Sequence, residues 1–263
     1  MSRTKLAAAF TAGLIASSSA FAAIVPLVNE LPKGFNISSD YVNIGFDVNF
    51  FGNSYSELYV SNLGHIGFQP ASQNISPFMS SVNTGNGGAV SYGNLIYEGH
   101  LAFGVSWIDV TDTKDGAAHG LSNTFQLLLV DRSDVGEGDF DFIFNYDSIQ
   151  WGYGDSLGET IINDAWIGYS GGDVDARGHD SFFGYRTQDN RMNLQLLPFD
   201  ASQLPYNSLN SGVDGRYVFE VRNGAVTNPF LSPVPEPETY AMLLAGLCIV
   251  GVVSRRWRTR AAV

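Results

Sequence analysis

The sequence predicts an all-β fold, with sandwich-like antiparallel sheets in one domain, an N-terminal signal peptide and a short C-terminal transmembrane helix. Three observations carry that reading. Apolar and polar residues alternate at period 2 in several short runs. Gly, Asn and Asp punctuate those runs. No long stretch of the body keeps helical periodicity. With 18 Phe, 12 Tyr and 4 Trp in 263 residues, the chain also has the apolar volume to fill one core between sheets.

The elements follow in order. Val42, Ile44, Phe46, Val48 and Phe50 alternate with Tyr41, Asn43, Gly45, Asp47 and Asn49, which is a strand with one buried face. Phe51-Gly52-Asn53-Ser54 reads as a turn, and Tyr55–Phe68 as a second strand region broken near Asn62-Leu63-Gly64. Residues 69–95 read as irregular, with a flexible loop over 83–88 (NTGNGG). Leu101, Phe103, Val105 and Trp107 alternate as the next strand. The clearest hairpin comes after it: 124–131 (TFQLLLVD), a loop over 132–138, and the return 139–146 (DFDFIFNY). Phe140, Phe142, Phe144 and Tyr146 share one face of the return. Ala165–Tyr169 is a further strand, 170–180 reads as a polar, glycine-rich connection, and 215–222 (GRYVFEVR) closes the domain.

Charge is unevenly distributed along the chain. The net charge is −12, but the body between 23 and 232 holds 8 basic and 24 acidic residues, a balance of −16. Such a surface repels nucleic acid and anionic lipid, so no nucleic-acid partner is expected. The one cysteine, Cys248, lies outside the body, which excludes disulfides and thiolate metal sites there.

Both ends read as addresses. Arg3 and Lys5 precede the apolar run 6–16, and Ala20-Phe21-Ala22 places small residues at the −3 and −1 positions of a cleavage before Ala23. Residues 1–22 are therefore a signal peptide, and 23–223 the β domain. Residues 224–238 are a linker with four prolines. Thr239–Val253 carries no formal charge and makes a helix of roughly 22 Å, a short span for a bilayer core of about 30 Å. Arg255, Arg256, Arg258 and Arg260 follow in 254–263, and the positive-inside rule holds that basic tail in the cytoplasm while the body is exported.

Val234-Pro235-Glu236-Pro237, the apolar 239–247 segment and the arginine cluster together resemble the bacterial PEP-CTERM sorting signal. The resemblance implies an exosortase-type membrane transpeptidase as partner. It also implies cleavage near Pro235, Glu236 and Pro237, an inner-membrane intermediate, and a final place at the cell surface or outside the cell. Phe50–Val60, Asn62–Phe68, Ile75-Ser76-Pro77-Phe78, Phe125–Val130, Phe140–Trp151 and Ala165–Tyr169 resemble, in order, the nidogen-like extracellular domain over roughly 45–222. After Gly184 the family's pattern lapses, and it resumes with 207–211 and 215–219. That resemblance implies an interaction module of matrix and adhesion proteins with no catalytic residues and no cofactor. Its partners would be an extracellular polysaccharide or matrix protein, in a biofilm or exopolysaccharide setting.

Candidate sites are weak by comparison. The 109–116 segment (DVTDTKDG) has mixed carboxylate spacing, an intruding Lys114 and no glutamate at the twelfth position of a calcium loop. The 173–178 segment (DVDARG) places Arg177 where a ligand belongs. Asp131, Asp134, Glu137, Asp139 and Asp141 crowd the hairpin loop, where acids discourage edge-to-edge pairing as the first reading and gather cations weakly as the second. His65, His100, His119 and His179 lack metal spacing, and no nucleophile-elbow or phosphate-loop motif occurs. Trp107, Trp151 and Trp166 sit in or beside strands, where core packing is the first expectation and a sugar-stacking row the second. The alternative to a non-enzymatic interaction protein is a carbohydrate-active enzyme or calcium-dependent lectin of the biofilm. No catalytic, cofactor-binding or metal residue is assigned.

Overall fold

In the computed structural model, which describes residues 24, 26–113, 120–151, 165–174, 180–186 and 201–227, the period-2 runs become strands with one face inward. The order is β1 (Asn29–Glu30), β2 (Val42–Phe50), β3 (Asn53–Ser61), β4 (His65–Gly67), β5 (Asn74–Met79), β6 (Ala89–Tyr97) and β7 (His100–Val110). Then come β8 (Asn123–Asp131), β9 (Phe140–Ile149), β10 (Trp166–Val174), β11 (Asp180–Arg186), a 3-10 turn (Ala201–Tyr206), β12 (Arg216–Arg222) and β13 (Ala225–Val226). A seven-stranded sheet runs β1-β6-β7-β8-β9-β12-β13, and a six-stranded sheet runs β11-β10-β5-β4-β3-β2. All pairings within them are antiparallel. The fold is all-β, as the alternation predicts.

The core lies between the sheets and is aromatic. Phe140, Phe142, Phe144 and Tyr146 all point into it, as do Phe125 from β8 and Phe219 from β12. Phe142 stacks on Phe219 at 4.7 Å, and Trp107 on Phe125 at 5.0 Å. Buried polar tips of these rings need partners. Tyr146 Oη donates to the Pro77 carbonyl at 2.7 Å, and Trp107 Nε1 to the Ser61 carbonyl at 3.2 Å. Both bonds tie one sheet to the other. Burial pushes the Tyr169 hydroxyl up to about 12, so it stays protonated in the core.

Strands also form where the sequence predicts irregularity. β5 and most of β6 lie within 69–95. In β5 the obstacle is Pro77, a residue that cannot donate to a ladder. The structure accommodates it at a register break. Met79 pairs with Trp166 and Ser76 with Gly168, so Pro77 falls where the ladder is interrupted. In β6, within the stretch expected to be irregular, Gly93 pairs with Gly104 and Asn94 with Phe103. β10 and β11 likewise extend into the segment read as a 170–180 connection. β13 adds a pair to β12 beyond residue 223, the point where the linker is expected to begin. Leu101, expected on the buried face with Phe103, is 50% exposed at a hairpin tip.

Four hairpin tips meet at one end of the sandwich. Asn49 donates its backbone N–H to Gly138 (2.8 Å), and Phe51 donates to Gly224 (2.7 Å), joining β2 of one sheet to two turns of the other. The β6–β7 turn reaches the β8–β9 turn through His100 Nδ1, 3.9 Å from Asp134. β8 and β9 are interior strands, so the acidic loop between them guards no edge. This overturns the edge-protection reading of that loop.

Candidate ligand-binding depression on the outer face

The strands that bury aromatics inward turn a second set of residues outward. On the face of the seven-stranded sheet away from the core, Ser106, Gln126, Asn145 and Arg216 are register partners across β7, β8, β9 and β12. Their side chains form a directed chain. Arg216 Nε donates to Asn145 Oδ1 (3.1 Å), Asn145 Nδ2 to Gln126 Oε1 (3.1 Å), and Gln126 Nε2 to Ser106 Oγ (2.9 Å). Ser106, Gln126 and Asn145 are buried, so these bonds satisfy groups that would otherwise be costly.

Beside this polar row, Ala102, Leu128, Val130 and Ile143 make a small apolar cluster with Leu95, Tyr97 and Val218 against it. Nearer the hairpin tips lies an ion network. Asp141 Oδ2 accepts from Arg132 Nη1 at 2.8 Å. Its Oδ1 is 2.7 Å from Arg222 Nη1, whose hydrogens go to the carbonyls of Phe140 and Val221. That second contact is therefore coulombic, with no aligned hydrogen bond. The hydrogen bond from Arg132 holds the exposed Asp134 carboxyl below its ordinary range, and bonds to Asp141 and Asp134 raise Arg132.

Arg216 at the end of the polar row, part of the apolar cluster and part of the ion network line a depression of about 390 Å³, together with Asn210 and Ser211. Val130, Ile143 and Val218 form its apolar part, and Arg132, Asp141, Arg216, Glu98 and Glu220 line it with charge. Arg216 lies over the Tyr97 ring at 5.8 Å from the centroid. Among the described residues no carboxylate pairs with Arg216. Burial raises the Tyr97 hydroxyl, with Arg216 opposing. The volume is within the range of about 300–1,000 Å³ typical of small-molecule sites.

The residues singled out from sequence fall elsewhere or are differently engaged. Trp107 and Trp151 are buried, which removes the sugar-stacking row; Trp166 is half-buried. Asp109 accepts from Ser122 and Thr124 hydroxyls, Asp112 is buried, and Asp115 lies outside the described residues. In the hairpin loop Asp131 accepts from Ser133, and Asp139 from the Asn223 backbone N–H at 2.7 Å. Among the described residues no three His, Cys, Asp or Glu gather as a metal site. His65 packs edge-on to Tyr59, and burial lowers its pKa to about 4. His119, His179 and residues 175–178 lie outside the described residues. So do the cleavage residues Ala20, Ala22 and Ala23, the Pro235-Glu236-Pro237 motif, the 239–253 span and the four terminal arginines. No helix among the described residues is long and apolar enough to cross a membrane.

Sequence reasoning missed Arg132, Arg216 and Arg222. A signal existed: in so acidic a body arginines are scarce, and two of these occupy outward positions of one alternating strand. Of the basic side chains described, only Lys33 lies away from this network.

Mouse alpha-tectorin is 25% identical over 233 residues, covering 72% of this chain and 10% of that protein. Human alpha-tectorin is 24% identical over 235 residues, with 73% and 10% covered. The chain thus spans about a tenth of the length of these curated relatives. No solved structure matches. Residues 93–223 match the nidogen-like domain family, a stretch that runs from the middle of β6 to the end of β12 and contains the whole polar row. Residues 233–258 match the PEP-CTERM protein-sorting motif, the signal of an exported protein processed by an exosortase. The chain is an exported protein that carries a nidogen-like domain and a PEP-CTERM sorting motif.

Proposed function

We propose that the chain is the precursor of a non-enzymatic interaction protein that works at the cell surface or in the extracellular matrix of a biofilm. The observation that carries this is the union of a nidogen-like domain with a sorting motif in one polypeptide. Similarity to alpha-tectorin over most of the chain supports it. So does the engagement of the hairpin-loop carboxylates. Asp131, Asp139 and Asp141 are taken by a serine, a backbone amide and two arginines, which suits a structural surface more than acid–base chemistry.

The tail acts before that role begins. Thr239–Val253 and the arginines at 255, 256, 258 and 260 hold the exported chain in the inner membrane until an exosortase cuts near Pro235-Glu236-Pro237. Replacing those three residues with alanine tests this. The chain should then accumulate in the inner-membrane fraction with its tail attached. Normal removal of the tail would contradict the assignment.

A further inference from the structure

We propose that the outer-face depression binds one neutral sugar unit of an extracellular polysaccharide. The inference rests on reading the domain as an extracellular interaction module, and it names the chemistry that module recognises.

A neutral sugar ring presents hydroxyls that both donate and accept, around patches of C–H. The depression offers the complement of each. Half-buried Val218, with the edges of the mostly buried Val130 and Ile143, supplies a small apolar surface for a C–H patch. Glu98 and Glu220 are exposed acceptors on its wall. Arg216 is a donor whose terminal amino groups are committed to no carboxylate. Arg132 adds a second guanidinium.

Charge selects against an ionic ligand. Arg132, Arg216 and Arg222 stand near Glu98, Asp134, Asp141 and Glu220, so the local balance is close to zero and slightly negative. An acidic sugar would meet that balance and the −16 of the body. A cation would meet Arg216. A neutral polyhydroxylated ring meets neither penalty and uses both signs of hydrogen-bonding group.

The site is also held in place before any ligand arrives. Arg216 is fixed on one side by Tyr97 and on the other by Asn145, which is itself held through Gln126 to Ser106. Asp141 holds Arg132 and sits against Arg222. Side chains already ordered lose little freedom on binding, so hydrogen bonds made there contribute more of their strength.

The test uses the mature secreted protein. Neutral gluco-, galacto- and manno-oligosaccharides, an oligouronate and an acidic peptide are titrated separately, with binding read by calorimetry and ligand-observed NMR. At least one neutral oligosaccharide should bind saturably, while oligouronate and peptide do not. Glu220→Gln, a change at an exposed rim, should weaken that binding about tenfold, the equivalent of about 1.4 kcal/mol. Arg216→Lys should weaken it as much while leaving the circular dichroism spectrum unchanged. The proposal is overturned by binding of the oligouronate or peptide in preference, by no neutral saccharide binding, or by binding that both variants leave intact. Retention in the producer's matrix is measured in parallel. If retention persists without saccharide binding, the inference fails and the broader reading stands. If saccharide binding persists without retention, the broader reading fails instead.

Discussion

Arg216 and Tyr97 meet over the outer face of the seven-stranded sheet, with the guanidinium carbon 5.8 Å from the ring centroid. They belong to β12 and β6, with β7, β8 and β9 between them. At about 4.8 Å per strand the two strands would lie roughly 19 Å apart in a flat sheet, and the register sets Tyr97 level with Arg222, further along β12 than Arg216. The twist of the sheet brings the strand ends toward each other, and the two long side chains close the rest.

That contact predicts a measurable coupling. A double-mutant cycle with Arg216→Ala and Tyr97→Leu, read by urea unfolding, should give a coupling of about 0.5–2 kcal/mol, the range of cation–π pairs. Arg216→Ala alone should cost about 1–3 kcal/mol, because it also strips Asn145 Oδ1 of its donor. Strict additivity would show that the two side chains lie near each other without interacting.

Asp141 should be the most sensitive carboxylate of the domain. Its side chain is 11% exposed and sits between Arg132 and Arg222. Asp141→Asn keeps the shape and removes the charge, leaving two guanidiniums facing each other. The expected loss is about 3 kcal/mol, from the penalty of breaking a buried pair. A loss under about 0.5 kcal/mol would place the network among ordinary surface pairs.

His65 makes stability depend on pH in a defined window. Burial lowers its folded pKa to about 4, against an ordinary value of 6.5. Between those values the unfolded chain holds a proton that the folded chain lacks. The contribution is therefore whole above pH 6.5 and falls away as pH drops toward 4, by up to about 3 kcal/mol. His65→Phe keeps a ring against Tyr59 and removes the titration. From pH 7 to pH 4, wild type should lose about 3 kcal/mol more than this variant, since carboxylate contributions are common to both. Parallel curves would contradict a half-buried imidazole that stays neutral.

The fold was legible where one face alone is apolar. Phe140, Phe142, Phe144 and Tyr146 alternate with polar neighbours, and the hairpin with 124–131 followed directly. It was illegible where another constraint overrode the local signal. Pro77 cannot donate to a ladder, yet its missing N–H coincides with a register break, and its carbonyl takes the Tyr146 hydroxyl. Gly93 has φ +156°, a backbone setting that L side chains rarely adopt, while a Cβ there would stand only in ordinary contact with Asn29 and Val28. Gly64 was read rightly as a turn residue: it has φ +88°, and a Cβ there would overlap the Phe78 carbonyl. The depression could not be seen in advance, because no local pattern joins Tyr97, Asp141 and Arg216. Their proximity is a property of strand order. The sorting signal was fully legible, because its motif, span and arginines are contiguous.

Mass spectrometry of the protein recovered from outside the cell tests the central claim most directly, because both ends are read at once. Cleavage before Ala23 and loss of the tail near Pro235-Glu236-Pro237 are the predicted result. A recovered protein that still begins at Met1 or still carries residues 239–263 would contradict it.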